Sequence, residues 1–407
     1  MTIPTMPSSI IDPSQYQVTH ITDHFDLVKY TRDRNLAAWQ GQLSTDDYVI
    51  REFVLGKCKV TLSKADRLLV YHLSKKSDEN VPLLLIEILI RRSLKYVRRG
   101  DDVEVTPVLL GCIGAVFTYP ENRGQGLAKI MVDKLVEEVR DVIGSDGFIF
   151  LYSEVGEYYA KLGFMLMPVD LIHIPMTSEQ FDVEGDVELI NYHQFSPVMD
   201  EYARQLDAKC RKETAADGKM RVQVVPTADI VDWFHVRAKY ISYKKFYEEP
   251  DQDTKFDFLN LSYAAINHEF EKIEPQAFGV KLSKNGVLIG FIVWTMDWIN
   301  LSENYVTVLK TVVMPGHDVD STTIDLFKAM RNHLNTANSV VGETKRLVVW
   351  ELEVTTTVRD WFVLEWAAKA GLENGLRLAI LMCNPTEDAA LKNGQVVWEG
   401  NDKIPWF

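Results

Sequence analysis

Thr118-Tyr-Pro-Glu-Asn-Arg123-Gly-Gln-Gly126-Leu-Ala128 joins an apolar, strand-like segment to a run whose apolar positions recur at helical spacing. The glycines at 124 and 126 remove side chains where the backbone would have to approach a ligand closely. The first turn of the following helix presents unpaired N–H groups and the positive end of its dipole, which together receive a pyrophosphate. Arg123 and Lys129 add positive charge at the same end of an otherwise acidic chain. Two other phosphate loops are excluded by residue type. The GxxxxGK[ST] loop is absent, and Lys129 stands where a GxGxxG dinucleotide turn needs its third glycine. A Gly-x-Gly turn ahead of a helix also serves, by itself, as a plain strand–helix connection.

Outward from the loop, strands and helices alternate. Ahead of it, strands are predicted at 67–73, 83–97 and 106–118, and residues 1–60 read as mainly helical. Ser44 has the character of an N-cap there, Asp46 and Asp47 suit the first turn, and Gly56 ends the helix. Behind the loop comes a helix at about 125–142, with Leu127, Ile130, Met131, Leu135, Val139 and Val142 on one face. A strand at 147–153, a short helix and a strand near Phe164 follow. The second half repeats this order: strands at 277–283 and 287–296 joined by the hairpin signal Asn285-Gly286, then a strand at 304–314, a helix at 321–336, a strand at 346–353 and a helix at 357–370. Equal succession suggests a duplicated unit, and chance among common element orders gives the same pattern. The polar, turn-broken stretch 171–225 is expected to connect an N-terminal domain at 1–170 to a C-terminal one at 226–407.

The length of 407 residues itself calls for two or three domains. Lys and Arg total 44 against 58 Asp and Glu, a net charge of −14, which argues against nucleic acid and leans toward a cationic small molecule. Cys58, Cys112, Cys210 and Cys383 form no CxxC unit, so neither a zinc site nor a redox dithiol is expected. The opening MTIPTMPSSIIDPSQ lacks the pattern of a secretory leader, and the apolar runs near 83–90 and 108–117 fall far short of the roughly 20 residues of a membrane span. A cytoplasmic protein without a membrane segment is expected.

Within this setting Arg123-x-x-Gly126-x-Ala128 resembles the R/Q-x-x-G-x-G/A motif of the GNAT acetyltransferases. Further on, Leu151-Tyr-Ser153-Glu-Val-Gly-Glu-Tyr-Tyr159-Ala-Lys-Leu-Gly163-Phe164 ends in a block that resembles the superfamily's Y-x-K-L-G-F. The resemblance implies a GNAT fold, α/β in the α+β sense, with a mixed central sheet and acetyl-CoA as cosubstrate. It implies that the amides of Gly124, Gln125, Gly126, Leu127 and Ala128, with Arg123 and Lys129, hold the pyrophosphate. The strand before the loop is expected to splay from its neighbour, so that Val116, Phe117 and Thr118 pair with the pantetheine arm as a short false strand. Ser153, where the next strand ends, is expected to hydrogen-bond the same arm. No metal is implied.

Acetyl transfer from a thioester to an amine needs a neutral amine, a stabilised oxyanion and a proton for the departing thiolate. A lysine ε-amine titrates near 10.4, so neutralising it at pH 7 costs roughly 4–5 kcal/mol. Tyr159 occupies the position of the general-acid tyrosine in the GNAT block, while Tyr158 should face another way. Glu87 interrupts the apolar run Leu83-Leu-Leu-Ile-Glu87-Ile-Leu-Ile90 and is the candidate base; a salt bridge to Arg91 or Arg92, or an exposed sheet edge, would also account for it. The apolar tail Ile404-Pro-Trp-Phe407 suggests docking, which makes the Phe407 carboxylate a second candidate and simple packing the plainer one.

The second half has Val312-Val313-Met-Pro-Gly-His-Asp318-Val-Asp320 where the loop would stand, with two aspartates and no arginine. A second GNAT-like domain lacking the cofactor loop, closing the acceptor site, is therefore expected. Trp294-Thr-Met-Asp297-Trp298 has the aromatic and acidic character a cationic amine needs, and equally that of an ordinary strand. More finely, the chain is similar to the fungal L-lysine N-acetyltransferases of lysine breakdown. The similarity lies in Ala38-Trp39-Gln-Gly-Gln-Leu-Ser44 with Tyr48-Val-Ile-Arg51-Glu52, in Ala115-Val-Phe-Thr118 and in Leu151-Tyr-Ser153. Leu84-Leu85-Ile86 departs from that pattern, where smaller or polar residues are expected ahead of the glutamate. The implied reaction is direct transfer to the ε-amine of free L-lysine in a ternary complex. Another amine (a polyamine, an aminoglycoside-like compound, a protein lysine) and a non-catalytic acetyl-CoA or amino-acid sensor remain the alternatives.

Overall fold

The computed structural model describes residues 11–248, 256–300, 303–341 and 344–407. Most of the opening segment read for a leader, residues 1–10, lies outside them. The first part of the chain forms β1 (Tyr16–His20), α1 (Phe25–Trp39), α2 (Thr45–Leu55), α3 (Lys59–Leu62), β2 (Arg67–Lys75), β3 (Leu84–Arg99), β4 (Asp102–Thr118), α4 (Leu127–Ile143), β5 (Phe148–Ser153) and β6 (Met165–Met167). Then come β7 (Leu171–Pro175), β8 (Asp186–Asn191), α5 (Ser196–Asp217), β9 (Met220–Val224), α6 (Ala228–Ser242) and α7 (Tyr263–Phe270). The last part holds β10 (Ala277–Lys284), β11 (Val287–Asn300), β12 (Glu303–Val313), α8 (Val319–Val341), β13 (Thr344–Trp350), α9 (Thr356–Trp366), β14 (Lys369–Leu372), β15 (Arg377–Met382), α10 (Pro385–Lys392) and β16 (Val396–Glu399).

Local chemistry places many of these boundaries. The Ser44 hydroxyl accepts from the N–H of Asp47 at 3.2 Å, which caps α2. Asn285 and Gly286 take φ of 54° and 75°, both left-handed, as the tight turn between β10 and β11 requires. One face of α4, including Ile130, Met131, Leu135 and Val139, is buried against the first sheet. Each such side chain contributes roughly 1.5–3 kcal/mol of burial before entropy is counted.

Two mixed sheets result. The first has nine strands, ordered β1-β2-β3-β4-β5-β15-β6, with β9 pairing β3 and β16 pairing β9. The second has seven, ordered β14-β7-β13-β12-β11-β10-β8. The run β10-β11-β12-α8-β13 repeats β2-β3-β4-α4-β5 down to one detail: the strand pair spanning the helix is parallel in both, β12 with β13 and β4 with β5. The duplicated architecture read in the sequence is therefore present.

The sheets do not follow the expected division of the chain. Within 171–225, read as a connection, β7 and β8 build the second sheet and β9 joins the first. From the far end, β15 inserts between β5 and β6, pairing Arg377–Met382 with Phe148–Ser153 on one side and Leu378–Ile380 with Met165–Met167 on the other. Short polar strands such as β8 carry little hydrophobic period, so composition alone made the segment look like a linker.

Two irregularities interrupt the pairing of β4. Leu85 faces Phe117 and Glu87 faces Gly114, so Ala115 and Val116 together oppose Ile86, and Ala115 sits at φ 49° in this bulge. On its other side β4 pairs with β5 only from Leu110 to Ile113. Beyond that point the two strands part.

Candidate active site

Gly124 and Gly126 lie at φ 75° and 76°, and a Cβ built on either would point into open space. The conformation thus requires glycine, and the space above the loop stays free. The helix α4 begins at Leu127 with no side chain capping it. Among the described residues, no acceptor meets the N–H groups of Gly124 through Ala128. Unpaired donors converging on a helix start form an anion receptor. The equivalent turn of the second half is closed, because Asp318 Oδ1 accepts from the N–H of Ser321 at 2.8 Å and puts a carboxylate at the start of α8.

The flanking side chains are more engaged than their sequence implies. Arg123 Nε donates to the Thr118 carbonyl at 3.1 Å, and its guanidinium lies 5.3 Å from the Phe117 ring. Lys129 is paired with Asp133 at 2.6 Å, one turn along α4. Gln125 reaches back toward the Glu121 carbonyl at 3.5 Å. The free donors at this loop are therefore its backbone N–H groups, while its cations are already engaged.

Where β4 and β5 part, a cleft of about 1140 Å³ opens, solvent at its mouth included. The parted strands line it with Gly114–Val116 and Leu151–Ser153; α1 and α2 add Arg32, Trp39, Tyr48, Arg51 and Glu52. Trp233 and Arg237 of α6, Trp406 and Phe407 of the tail, and Asn35 and Glu154 also line it. Both titratable side chains singled out in the sequence reach it. Tyr159 sits in a 3-10 turn (Tyr158–Leu162), 5% exposed and edge-on to Phe164 at 5.9 Å. Burial pushes its phenol well up from the ordinary tyrosine range.

Glu87 is buried in β3 beside the bulge. Its partner is Arg32 of α1, at 3.6 Å, rather than either arginine expected from the sequence. Arg91 instead donates to the Pro405 carbonyl at 3.1 Å, and Arg92 pairs with Asp66 at 2.6 Å. Nor is Glu87 at a sheet edge, since β2 and β4 flank it. Burial raises its carboxyl above the usual carboxylate range, with Arg32 working in the opposite direction.

Other expected residues land near the cleft with altered details. Ser153 lines it, but its hydroxyl donates to the Gly156 carbonyl at 3.1 Å and accepts from the N–H of Val155 at 3.3 Å, which folds the turn after β5. Val116 lines the cleft, and Phe117 packs its ring 5.9 Å from Trp39. Phe407 seats its ring on Gly114, where a Cβ would come within 2.9 Å of it. The tail is held by Tyr152, whose hydroxyl donates to the Asp402 carbonyl at 2.5 Å, and by Lys310, 2.6 Å from the Asp402 carboxylate.

The segment Trp294–Trp298 does not line the cleft. Trp294 is fully buried and Asp297 accepts from the Thr307 hydroxyl at 2.7 Å, as an interior strand would have it. The second half supplies Trp233 and Arg237 instead. Their i, i+4 spacing puts both on one helical face, a signal present in the sequence but shared with any helix. No group of three or more His, Cys, Asp or Glu able to hold a metal occurs among the described residues. All four cysteines are buried free thiols. None of the described helices is long and apolar enough to cross a membrane.

Residues 171–407 match the family described as the LYC1 GNAT-like C-terminal domain. The chain belongs to this family. With it comes the GNAT acetyltransferase class, and the match contributes Trp233, Arg237, Trp406 and Phe407 to the cleft, while the open loop, Glu87 and Tyr159 lie outside it. Similar to the whole chain is the uncharacterized protein YGR111W of Saccharomyces cerevisiae, 25% identical over 94% of this chain and 96% of its own length. A protein named lysine acetyltransferase from Yarrowia lipolytica is 22% identical over 83% of each. Among solved structures, a GCN5-related N-acetyltransferase from Anabaena variabilis aligns with a TM-score of 0.48 at 11% identity, covering 91% of this chain and 73% of that one. A probable N-acyltransferase from Enterococcus faecalis aligns at 0.45 and 12%, covering 91% and 72%.

Proposed function

We propose that this protein acetylates the ε-amine of free L-lysine with acetyl-CoA, by direct transfer in a ternary complex. One continuous arrangement carries the reading: β4 leaves its neighbour, lines a cleft at Val116, and runs on into a loop of unpaired N–H donors. That suits a ligand with a pyrophosphate at one end and an amide-bearing arm, which the free edge of Val116, Phe117 and Thr118 would meet as a strand. Acetyl-CoA supplies the activated acetyl group and a thiol leaving group. Glu87 takes the proton from the incoming ammonium, with the terminal carboxylate of Phe407, a residue of the same cleft, as the other candidate. A carboxyl raised by burial is the stronger base for that task. Tyr159, kept protonated by burial, donates a hydrogen bond to the departing sulfur as the C–S bond breaks, and the proton that the amine loses as the C–N bond forms ends on the coenzyme A thiol, whose ordinary pKa is near 8.5. The acceptor assignment draws on the name of the Yarrowia relative and on the acidic balance of the chain.

The test is a panel of amines incubated with acetyl-CoA: L-lysine, D-lysine, ornithine, spermidine, kanamycin and a lysine-bearing peptide. Free coenzyme A thiol is followed in time and mass spectrometry locates the acetyl group. Preferential turnover of L-lysine at the ε-nitrogen is the expected result. Preference for another amine would replace the acceptor and keep the chemistry; acetyl-CoA binding without transfer to any amine would leave a sensor.

A further inference from the structure

Three arginines line the cleft, and two have counter-ions: Arg32 stands 3.6 Å from Glu87 and Arg51 stands 2.6 Å from Glu52. Arg237 has none. Among the described residues it makes no ion pair and no hydrogen bond; through space the like charge of Arg51 opposes it, while Asp297, Glu52 and Tyr305 act in its favour. Both carboxylates are already engaged, Glu52 by Arg51 and Asp297 by the Thr307 hydroxyl. Desolvation accordingly lowers the proton affinity of Arg237 below that of an ordinary arginine. A guanidinium partly withdrawn from water without a partner is costly, and the fold keeps this half-buried one where a ligand can reach it.

We propose that Arg237 receives the carboxylate of the acceptor, and so selects a free amino acid over amines that lack one. This rests on the acetyl-transfer reading above and deepens it. A guanidinium meets a carboxylate through two parallel, charge-assisted hydrogen bonds, and the incoming anion supplies the missing counter-ion. Trp233 shares the helical face of Arg237, one turn of about 6 Å away, and its ring lies 6.1 Å from that of Phe407. An apolar surface thus runs from the tail toward the arginine, suited to the methylenes of the acceptor. A polyamine brings only positive charge to a site where an unpaired cation already stands, and a lysine inside a peptide has its carboxyl consumed in an amide.

The test is calorimetric binding of L-lysine, lysinamide and cadaverine to the full chain saturated with coenzyme A, for wild type, Arg237→Gln and Arg237→Lys. Wild type is expected to favour L-lysine over both carboxylate-free amines by at least about tenfold. Arg237→Gln should bring the three affinities together, with Arg237→Lys between, at unchanged coenzyme A affinity and with a melting temperature equal to or above that of wild type. Equal wild-type affinities, a parallel loss for all three amines, or a loss of coenzyme A binding would overturn the assignment. Should Arg237→Gln fail to fold, the comparison of the three amines on wild type and Arg237→Lys decides alone. Since binding is read without turnover, lysine held through Arg237 but never acetylated would sink the acetyl-transfer reading and leave this one. Acetylation of an amine without a carboxylate would do the reverse.

Discussion

Burial acts on Glu87 and Tyr159 in the same direction, raising both, and the proposed acetyl transfer gives them complementary tasks. A raised carboxyl has a pH consequence whose sign is fixed. Glu87 must be ionised to accept a proton, so activity should climb with pH through a limb lying above the usual carboxylate range. Glu87→Gln should lower kcat by about 10²-fold and erase that limb. A pH–rate profile of kcat/KM for both proteins checks this, and an unchanged acid limb in the variant would move the base role to another group. Glu87 and Tyr159 were legible as cleft residues because each broke or completed a local pattern: a charge inside an apolar strand, a tyrosine in a recognised block. Arg32 and Arg237 were not. An arginine on a helix reads as a solvated face, and only the packing of α1 and α6 on the parted strands turns either one inward.

At the scale of elements, the loop and the bulge do the positioning. Gly126 at φ 76° offers open space above it, so Gly126→Ala should cost roughly 1–2 kcal/mol in stability for the left-handed backbone. It should also weaken acetyl-CoA at least about tenfold, by placing a methyl group where the loop receives an anion. Gly100→Ala, at φ 64° in the turn between β3 and β4 and also unobstructed, is the matched control. It should show the strain in thermal melts and keep the affinity. Equal affinity losses would reduce the loop to a plain connection. The repeated series β2–β5 with α4 and β10–β13 with α8 was legible from hydrophobic period and turn residues, whereas α5, α6, β15 and β16 were not. The bulge at Ala115 and Val116 was not, because two residues facing one is a property of register between strands and not of either strand alone.

Across the whole molecule, the first sheet takes β9, β15 and β16 from beyond residue 170, while β7 and β8 belong to the second. A piece ending near residue 170 would leave β5 and β6 without the β15 that joins them. Expressed alone, residues 1–170 should therefore be unfolded or aggregated by circular dichroism and gel filtration, and the full chain should melt in a single transition. A soluble, cooperatively melting 1–170 fragment would show that β15 is dispensable to the first sheet. Duplication was visible in the order of elements. The joining of distant strands was not, since pairing between residues more than two hundred positions apart leaves no local mark. The same joining brings α6 and the tail to the cleft, so that both halves line it.

The most direct test of the central claim is the rate of coenzyme A thiol release from acetyl-CoA with L-lysine, for wild type and Tyr159→Phe side by side. The account predicts release that requires L-lysine, falling about 10²-fold in the variant while acetyl-CoA affinity holds. Release at the same rate without lysine, or undiminished in Tyr159→Phe, would contradict it.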